Sequence, residues 1–221
     1  MIDVANLALD APEGSLLLEG LALRIPKGAN QLVTGPSGVG KSRLLKVIAG
    51  VERPLRGRVR VAGIELWPGD GALGLVGKVS VGFAFASGGL LSNLSLRENV
   101  ALPLRFMRTA PTEVHRRTEA ALERLGLAAV AGLRPHAVSA AARRHGNLAR
   151  VLALEPELIL LDDPLEGLDA ADRAAALDVI HPWLVDAART VLIAQEEPGP
   201  FADGATSHLD LSAHAIPLET P

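Results

Sequence analysis

Short apolar runs broken by glycine and proline dominate the first third of the chain. Leu16-Leu17-Leu18, Leu21 to Ile25, Gln31 to Thr34 and Arg58 to Ile64 each have the length of a strand, with turns at Pro26-Lys27-Gly28 and Pro54 to Gly57. From Ser95 the apolar period lengthens to that of a helix. Ser95-Leu96-Arg97-Glu98 is a capping box that opens one helix. A second follows Pro111-Thr112, carries Val114, Ala121, Leu122 and Leu125 on one face, and stops at Gly126. A third begins after Ser139, whose hydroxyl is a natural N-cap. Strands then return. Leu158-Ile159-Leu160-Leu161-Asp162 is an unbroken apolar run ending in an acid, Asp169 caps another helix, and Thr190 to Ala194 is the next buried strand. Strands on both sides of a helical middle predict an α/β core with an N-terminal antiparallel β region and an inserted α-helical subdomain. The residues after Asp210 read as loosely structured.

The helix and strand on either side of residues 35 to 42 give that segment its meaning. Gly35-Pro36-Ser37-Gly38-Val39-Gly40-Lys41-Ser42 fits Gly-x-x-x-x-Gly-Lys-Ser, a phosphate-binding loop. The glycines let backbone N–H groups curl around a phosphate, Lys41 supplies a cation, and Ser42 offers a hydroxyl to Mg²⁺. The strand at Gln31 to Thr34 precedes it. The helix from Ser42 to Ala49, with Leu44, Leu45, Val47 and Ile48 apolar and Gly50 as its stop, follows and aims its positive end at the phosphates.

Composition narrows the picture in three ways. The 221 residues suffice for one sizeable domain with an inserted subdomain and would be cramped for two. A net charge of −3 gives no general basic surface, so nucleic acid is not an expected partner. The absence of cysteine excludes disulfides and thiolate metal sites and fits a reducing compartment. Met1 to Asp10, interrupted by Asp3, Asn6 and Asp10, does not read as a signal peptide, and the longest apolar run is bounded by Glu157 and Asp162. The chain is therefore expected to be soluble by itself and to reach a membrane only through a partner.

The order of the phosphate loop, Val81-Gly82-Phe83-Ala84-Phe85, the Ser139 region, Leu158 to Asp163 and Gly167-Leu168-Asp169 resembles the nucleotide-binding subunit of ABC transporters over almost the whole chain. Within that family, Ser87 to Ser95, Glu98 to Arg105 and Ala153-Leu154-Glu155-Pro156-Glu157-Leu158 look most like the Mla-type ATPases that work with MCE proteins in phospholipid transport. The resemblance implies a P-loop NTPase fold of the ABC type in a single domain, residues 1–221. Residues 1–85 and 156–221 would form the nucleotide-binding core, and residues 86–155 the helical subdomain. It implies ATP and Mg²⁺ as cofactors, held by Gly35, Pro36, Ser37, Gly38, Val39, Gly40, Lys41, Ser42, Arg43 and Asp162, with Ser139 reaching the nucleotide of a second subunit. Asp162 would be the Walker B acid, holding Mg²⁺ through water together with Ser42. Asp169 fits both the D-loop aspartate that communicates between subunits and a plain helix N-cap. The implied partners are a transmembrane permease, a second ABC ATPase subunit (identical or different) and an MCE-domain protein. The implied place is the cytoplasmic face of the bacterial inner membrane.

Against that family pattern several positions differ. The glutamine expected after Phe85 is Ala86, whose methyl coordinates nothing. The glutamate expected after the Walker B acid is Asp163, a candidate catalytic base whose carboxylate falls on the order of 1 Å short. The switch histidine is Glu196, an anion facing the γ-phosphate position. The signature Leu-Ser-Gly-Gly-Gln aligns with Val138-Ser139-Ala140-Ala141-Ala142, which keeps the serine and puts methyls where glycine allows close approach. No aromatic residue precedes the loop to stack on adenine. Two readings follow. The chain is an ATP-binding transporter subunit with weak or absent hydrolysis, or it is an ABC-fold scaffold or regulator that drives no transport.

The remaining candidates carry less chemistry. His115, His136, His145, His181, His208 and His214 have no metal-ligand spacing and read as surface or loop residues. Arg143-Arg144 reads as a solvated pair or a partner contact, and Trp67 and Trp183 as packing residues.

Overall fold

The computed structural model describes residues 1–11, 14–86 and 89–215. It contains two sheets and a helical layer. Four antiparallel strands, β1 (Ile2–Asp10), β2 (Leu16–Ile25), β4 (Arg56–Val61) and β5 (Ile64–Trp67), pair in the order β2-β1-β4-β5. Five strands, β3 (Asn30–Thr34), β6 (Val81–Ala84), β7 (Leu158–Asp162), β8 (Thr190–Ala194) and β9 (Ser207–Asp210), form a parallel sheet in the order β6-β7-β8-β3-β9. Helix α1 (Lys41–Ile48) follows β3. Helices α2 (Leu96–Phe106), α3 (Pro111–Arg124) and α4 (Ala140–Leu154) lie in sequence between β6 and β7, and α5 (Ala170–Val185) lies between β7 and β8.

The inner parallel strands β7 and β8 are almost wholly apolar because both of their faces are covered. Along β7, Leu158 and Leu160 enter a core shared with the antiparallel sheet and α1, whereas Ile159 and Leu161 enter a second core shared with α2 to α5. The pleat sends alternate side chains to opposite faces, so a five-residue run serves two cores at once. Helix α1 buries Leu44, Leu45, Val47 and Ile48 completely. Truncating any one of those leucines to alanine is worth roughly 2–5 kcal/mol. Gly50 ends α1 at φ +74, and a Cβ there would sit 2.4 Å from the Ala72 nitrogen, so this stop admits only glycine.

The expected strands at Leu16–Leu18 and Leu21–Ile25 are one continuous strand with register shifts, and the expected strand Arg58–Ile64 is a hairpin of β4 and β5. Strand β1 was not anticipated, although it is central in its sheet. Its alternation breaks at Asn6, which takes φ +51 where the register shifts. The segment after Asp210 is ordered through Leu211, which is fully buried, and residues 216–221 lie outside the described residues. Ser87 and Gly88, part of the run that carries the Mla resemblance, also lie outside them. Among the described residues no helix is long and apolar enough to cross a membrane.

Candidate functional site

The carboxyl ends of β3, β7 and β8 open on one edge of the parallel sheet, where ligands of open α/β sheets collect. The loop after β3 holds Gly35, Gly38 and Gly40 at φ +144, +82 and +105, values that side-chain-bearing residues rarely adopt. A cleft of about 610 Å³ lies over this loop, lined by Ser37, Gly38, Gly40, Lys41, Ser42 and Arg43 among others. Lys41 is buried, and its Nζ donates to the carbonyls of Gly35 at 2.7 Å and Pro36 at 3.0 Å. It is thus a desolvated cation whose partners are neutral carbonyls of its own loop. Ser42 Oγ donates to Asp162 Oδ1 at 2.9 Å, so the hydroxyl and carboxylate that could share a divalent cation are already together. Glycine-rich backbone, buried cation and this pair fit a nucleoside triphosphate with a divalent cation. Arg43 is turned elsewhere: its guanidinium pairs with Asp10 at 2.8 Å and reaches Glu52 at 3.7 Å.

Asp162 is nearly inaccessible, and burial pushes its carboxyl above the usual carboxylate range against the Ser42 hydroxyl and the Ala86 backbone N–H. Ala86 therefore contributes a main-chain donor to the acid. Asp163 follows at φ +43, and its N–H donates to Ala194 O at 2.8 Å, which fastens it to the end of β8. Burial first, then the charge of Asp162, lift Asp163 to about 6, with Glu166 and Glu196 adding and Lys41 opposing. Glu196 is exposed and lines the cleft, and its carbonyl accepts from the Gly35 N–H at 3.3 Å. The terminal-phosphate end of the cleft is thus rich in carboxylates.

Three participants were not anticipated. Leu17 packs its Cδ1 against Gly40 and provides an aliphatic wall at the cleft mouth. Gln195, directly after β8, is buried and donates to the carbonyls of Glu197 and Pro198 at 2.6 and 2.7 Å, shaping the loop that carries Glu196. Arg144 donates to the Asp163 carbonyl at 2.5 Å and to Glu166 at 3.4 Å, which corrects the solvated reading of that arginine. A strand-end position signals Gln195, whereas nothing local signals the other two.

Ser139 is exposed at the start of α4, where its Oγ accepts from the Ala142 N–H at 3.0 Å, and it does not line its own chain's cleft. Asp169 caps α5 by accepting from the Asp172 N–H at 2.9 Å. His145 corrects the surface-or-loop expectation for the histidines. It is 3 % exposed, with Nδ1 3.2 Å from Leu125 O and Nε2 3.0 Å from Asp172 O, so this ring ties α4 to the end of α3 and the first turn of α5. Trp67 and Trp183 are buried packing residues, as expected. Among the described residues no group of acids and histidines has metal-site geometry of its own.

A family model described as ABC transporter matches residues 18–166. The chain is similar to the lipoprotein-releasing system ATP-binding protein LolD of Pseudomonas syringae pv. tomato, 37 % identical over 161 residues, covering 72 % of this chain and 71 % of that one. It is similar to the methionine import ATP-binding protein MetN of Rhodopseudomonas palustris, 33 % identical over 180 residues, covering 81 % of this chain and 48 % of that one. Among solved structures it is similar to a dimeric post-hydrolysis state of the ATP-binding cassette MJ0796 bound to ADP and Pi, with a TM-score of 0.81 and 26 % identity, covering 93 % of this chain and 90 % of that one.

Proposed function

The chain belongs to the ABC transporter family, and on that premise we propose that it is the ATP-binding subunit of a membrane transporter whose nucleotide is held rather than rapidly hydrolysed. Members of the family bind ATP, dimerise and pair with transmembrane permeases. The nucleotide would be held by residues 35 to 43, with Ser42 and Asp162 holding Mg²⁺ and Ser139 reaching the site of the second subunit. The bound Mg²⁺ and ATP would supply the charge neutralisation and binding energy that close a dimer. The functional division would be residues 1–85 and 156–221 as the nucleotide core and residues 86–155 as the helical subdomain. The permease would keep the chain at the cytoplasmic face of the inner membrane.

One observation carries the weak-hydrolysis reading. An intact phosphate cradle and Ser42, bonded to Asp162 behind it, lie in the same cleft as Asp163, whose carboxyl is lifted to about 6 and sits among other acids. Losing one positioned base or one electrostatic stabiliser lowers a rate by about 10² to 10⁴, and groups that act as a unit are not additive. Ala140 and Ala141 at the start of α4 keep main chain farther from a facing phosphate than glycine would.

The permease is assigned to an apolar groove of about 580 Å³ between the core and the helical subdomain, lined by Val51, Val76, Phe85, Phe106 and Met107. Phe106 is 73 % exposed and Met107 55 %, an unusual display for residues of this type. The cargo is assigned as a lipid or lipid-bearing molecule, with an MCE-domain protein as a further partner. The Glu98 to Arg105 run supports this, and so does the likeness to a protein named for lipoprotein release.

ATP affinity and turnover of the purified chain, alone and with its permease, test the reading beside Lys41→Ala and the Pseudomonas syringae LolD protein. The expected result is Mg·ATP binding that Lys41→Ala abolishes, with turnover at least about 10²-fold below that of LolD. Turnover equal to LolD and lost in Lys41→Ala overturns the weak-hydrolysis reading. No binding at millimolar Mg·ATP overturns the role of the loop.

A further inference from the structure

The phosphate loop packs on a segment that lies outside the nucleotide cleft. After β9, residues 211–215 make one short turn, and none of them lines the cleft. Leu211 is fully buried in the core that also holds Leu18, Val33 and Val39. Gly35, the first residue of the loop, rests directly on this turn. A Cβ at Gly35 would lie 3.6 Å from both Leu211 Cβ and Ser212 N, with Val39 Cγ1 at 3.0 Å on the loop's own side. Asp210 fixes the turn by accepting from the Ser212 N–H at 2.9 Å, and Asp210 is itself in register with Thr34, the residue before Gly35.

The far end of the turn reaches the other end of the loop through β2. Ala215 forms an antiparallel bridge with Leu18, and a Cβ at Gly40 would lie 3.4 Å from Leu18 Cδ2. Residues 211–215 thus touch Gly35 directly and Gly40 through one leucine. Gly35 matters to the site, because its carbonyl accepts from the buried Lys41 Nζ at 2.7 Å and its N–H donates to Glu196 O at 3.3 Å. Close packing transmits displacement, so a turn that moved away from Gly35 would loosen the carbonyl that holds Lys41. Apart from Leu211 the turn is exposed or half-buried, which is the profile of a segment that opens locally before the core does. On the reading of the cleft as a Mg·ATP site, we propose that residues 211–215 are a strap that positions the phosphate loop, with Leu211 as the positioning residue. Nucleotide in the cleft and closure of the strap then favour each other, and the coupling is reciprocal.

Hydrogen–deuterium exchange of the full-length chain with and without saturating Mg·ATP tests this. Amides of residues 35–43 report the nucleotide and those of residues 211–215 the strap. The expected result is slower exchange in both segments, by about fivefold or more in the strap, and no change in α3. Slower exchange in residues 35–43 with none in residues 211–215 overturns the strap and leaves nucleotide binding intact. Unchanged exchange in both overturns the Mg·ATP site and the strap with it. In fluorescent-nucleotide titrations Leu211→Ala should weaken Mg·ATP binding about tenfold, and Leu211→Met should retain the parent affinity. Leu66→Ala truncates another fully buried leucine of the same core, in β5, and should lower Tm similarly while leaving ATP affinity within about twofold. Equal loss of affinity in the two alanine variants, or parent affinity in Leu211→Ala, overturns the proposal. Should Leu211→Ala not fold, exchange in the parent chain decides by itself.

Discussion

Asp163→Asn should stabilise the unliganded chain, and the gain should depend on pH in a way that few other substitutions would mimic. Asp163 titrates near 6 in the fold against an ordinary value of 3.8, because it is half-buried beside Asp162 with Glu166 and Glu196 nearby. A carboxyl raised in this way binds its proton more tightly when folded. Its ionisation therefore destabilises the native state by nothing below about pH 4, progressively between pH 4 and 6, and fully above that. A shift of about two units corresponds to roughly 3 kcal/mol if nothing screened it. Asp163 is only partly buried, and solvent screening reduces the expectation to about 1 kcal/mol. Asparagine removes the charge, keeps the side-chain volume and tolerates the left-handed backbone at φ +43. Urea unfolding of parent and variant at pH 4 and pH 7.5 measures the difference. The variant should match the parent at pH 4 and exceed it by about 1 kcal/mol at pH 7.5, which is about 2–4 °C in Tm for a chain of this size. A difference that is the same at both pH values would refute the claim that crowding of carboxylates sets the electrostatics of this cleft.

Two further outcomes follow from the same structure. Removing Mg²⁺ with EDTA should weaken ATP binding by on the order of 10²-fold in a fluorescent-nucleotide titration. The reason is that Asp163, Glu166 and Glu196 line the cleft in which Lys41 is the buried cation, so an affinity indifferent to Mg²⁺ would contradict the arrangement. Phe106→Glu with Met107→Glu should reduce retention on the permease by about tenfold or more and leave ATP affinity of the isolated chain unchanged. Pull-down and titration on the same preparations read both, and undiminished retention would remove the groove as the permease face.

What could be read in advance follows from how local each signal is. Strand, glycine loop and helix from Asn30 to Ile48 are contiguous, and Ser95, Ser139 and Asp169 each satisfy a main-chain donor three residues away, so all were visible in the sequence. Strand β9, Ser207–Asp210, escaped because it is a largely exposed edge strand of four mostly polar residues, held by pairing with β3 that lies far away in sequence. His145 and Arg144 escaped for a different reason. Their partners lie 20 and 27 residues away for the histidine and 19 for the arginine, so no spacing rule connects them. The site residues of the loop were legible because one segment supplies them. The electrostatics of Asp163 were not, because burial leads them and Lys41 and Glu196 reach it from two other segments of the chain.

Those long-range ties explain why binding alone could be productive. Arg144 anchors α4 to the Asp163 carbonyl, and the adjacent His145 lies 3.0 Å from the Asp172 carbonyl in the first turn of α5. Asp163 is itself held to the end of β8 through its N–H. Any movement of the acidic loop when a triphosphate and its cation enter must therefore be passed to α4 or must break these bonds. Helix α4 packs against both α2 and α3, and α2 carries Phe106 at the apolar groove. A rigid chain of contacts thus runs from the nucleotide cleft to the proposed permease face without requiring that the γ-phosphate be cleaved. Hydrolysis would reset such a device quickly. Without it, release of the nucleotide would set the pace, and the difference in ATP affinity between the open and closed dimers would bound the work of the closing step, with no net energy delivered over a full cycle.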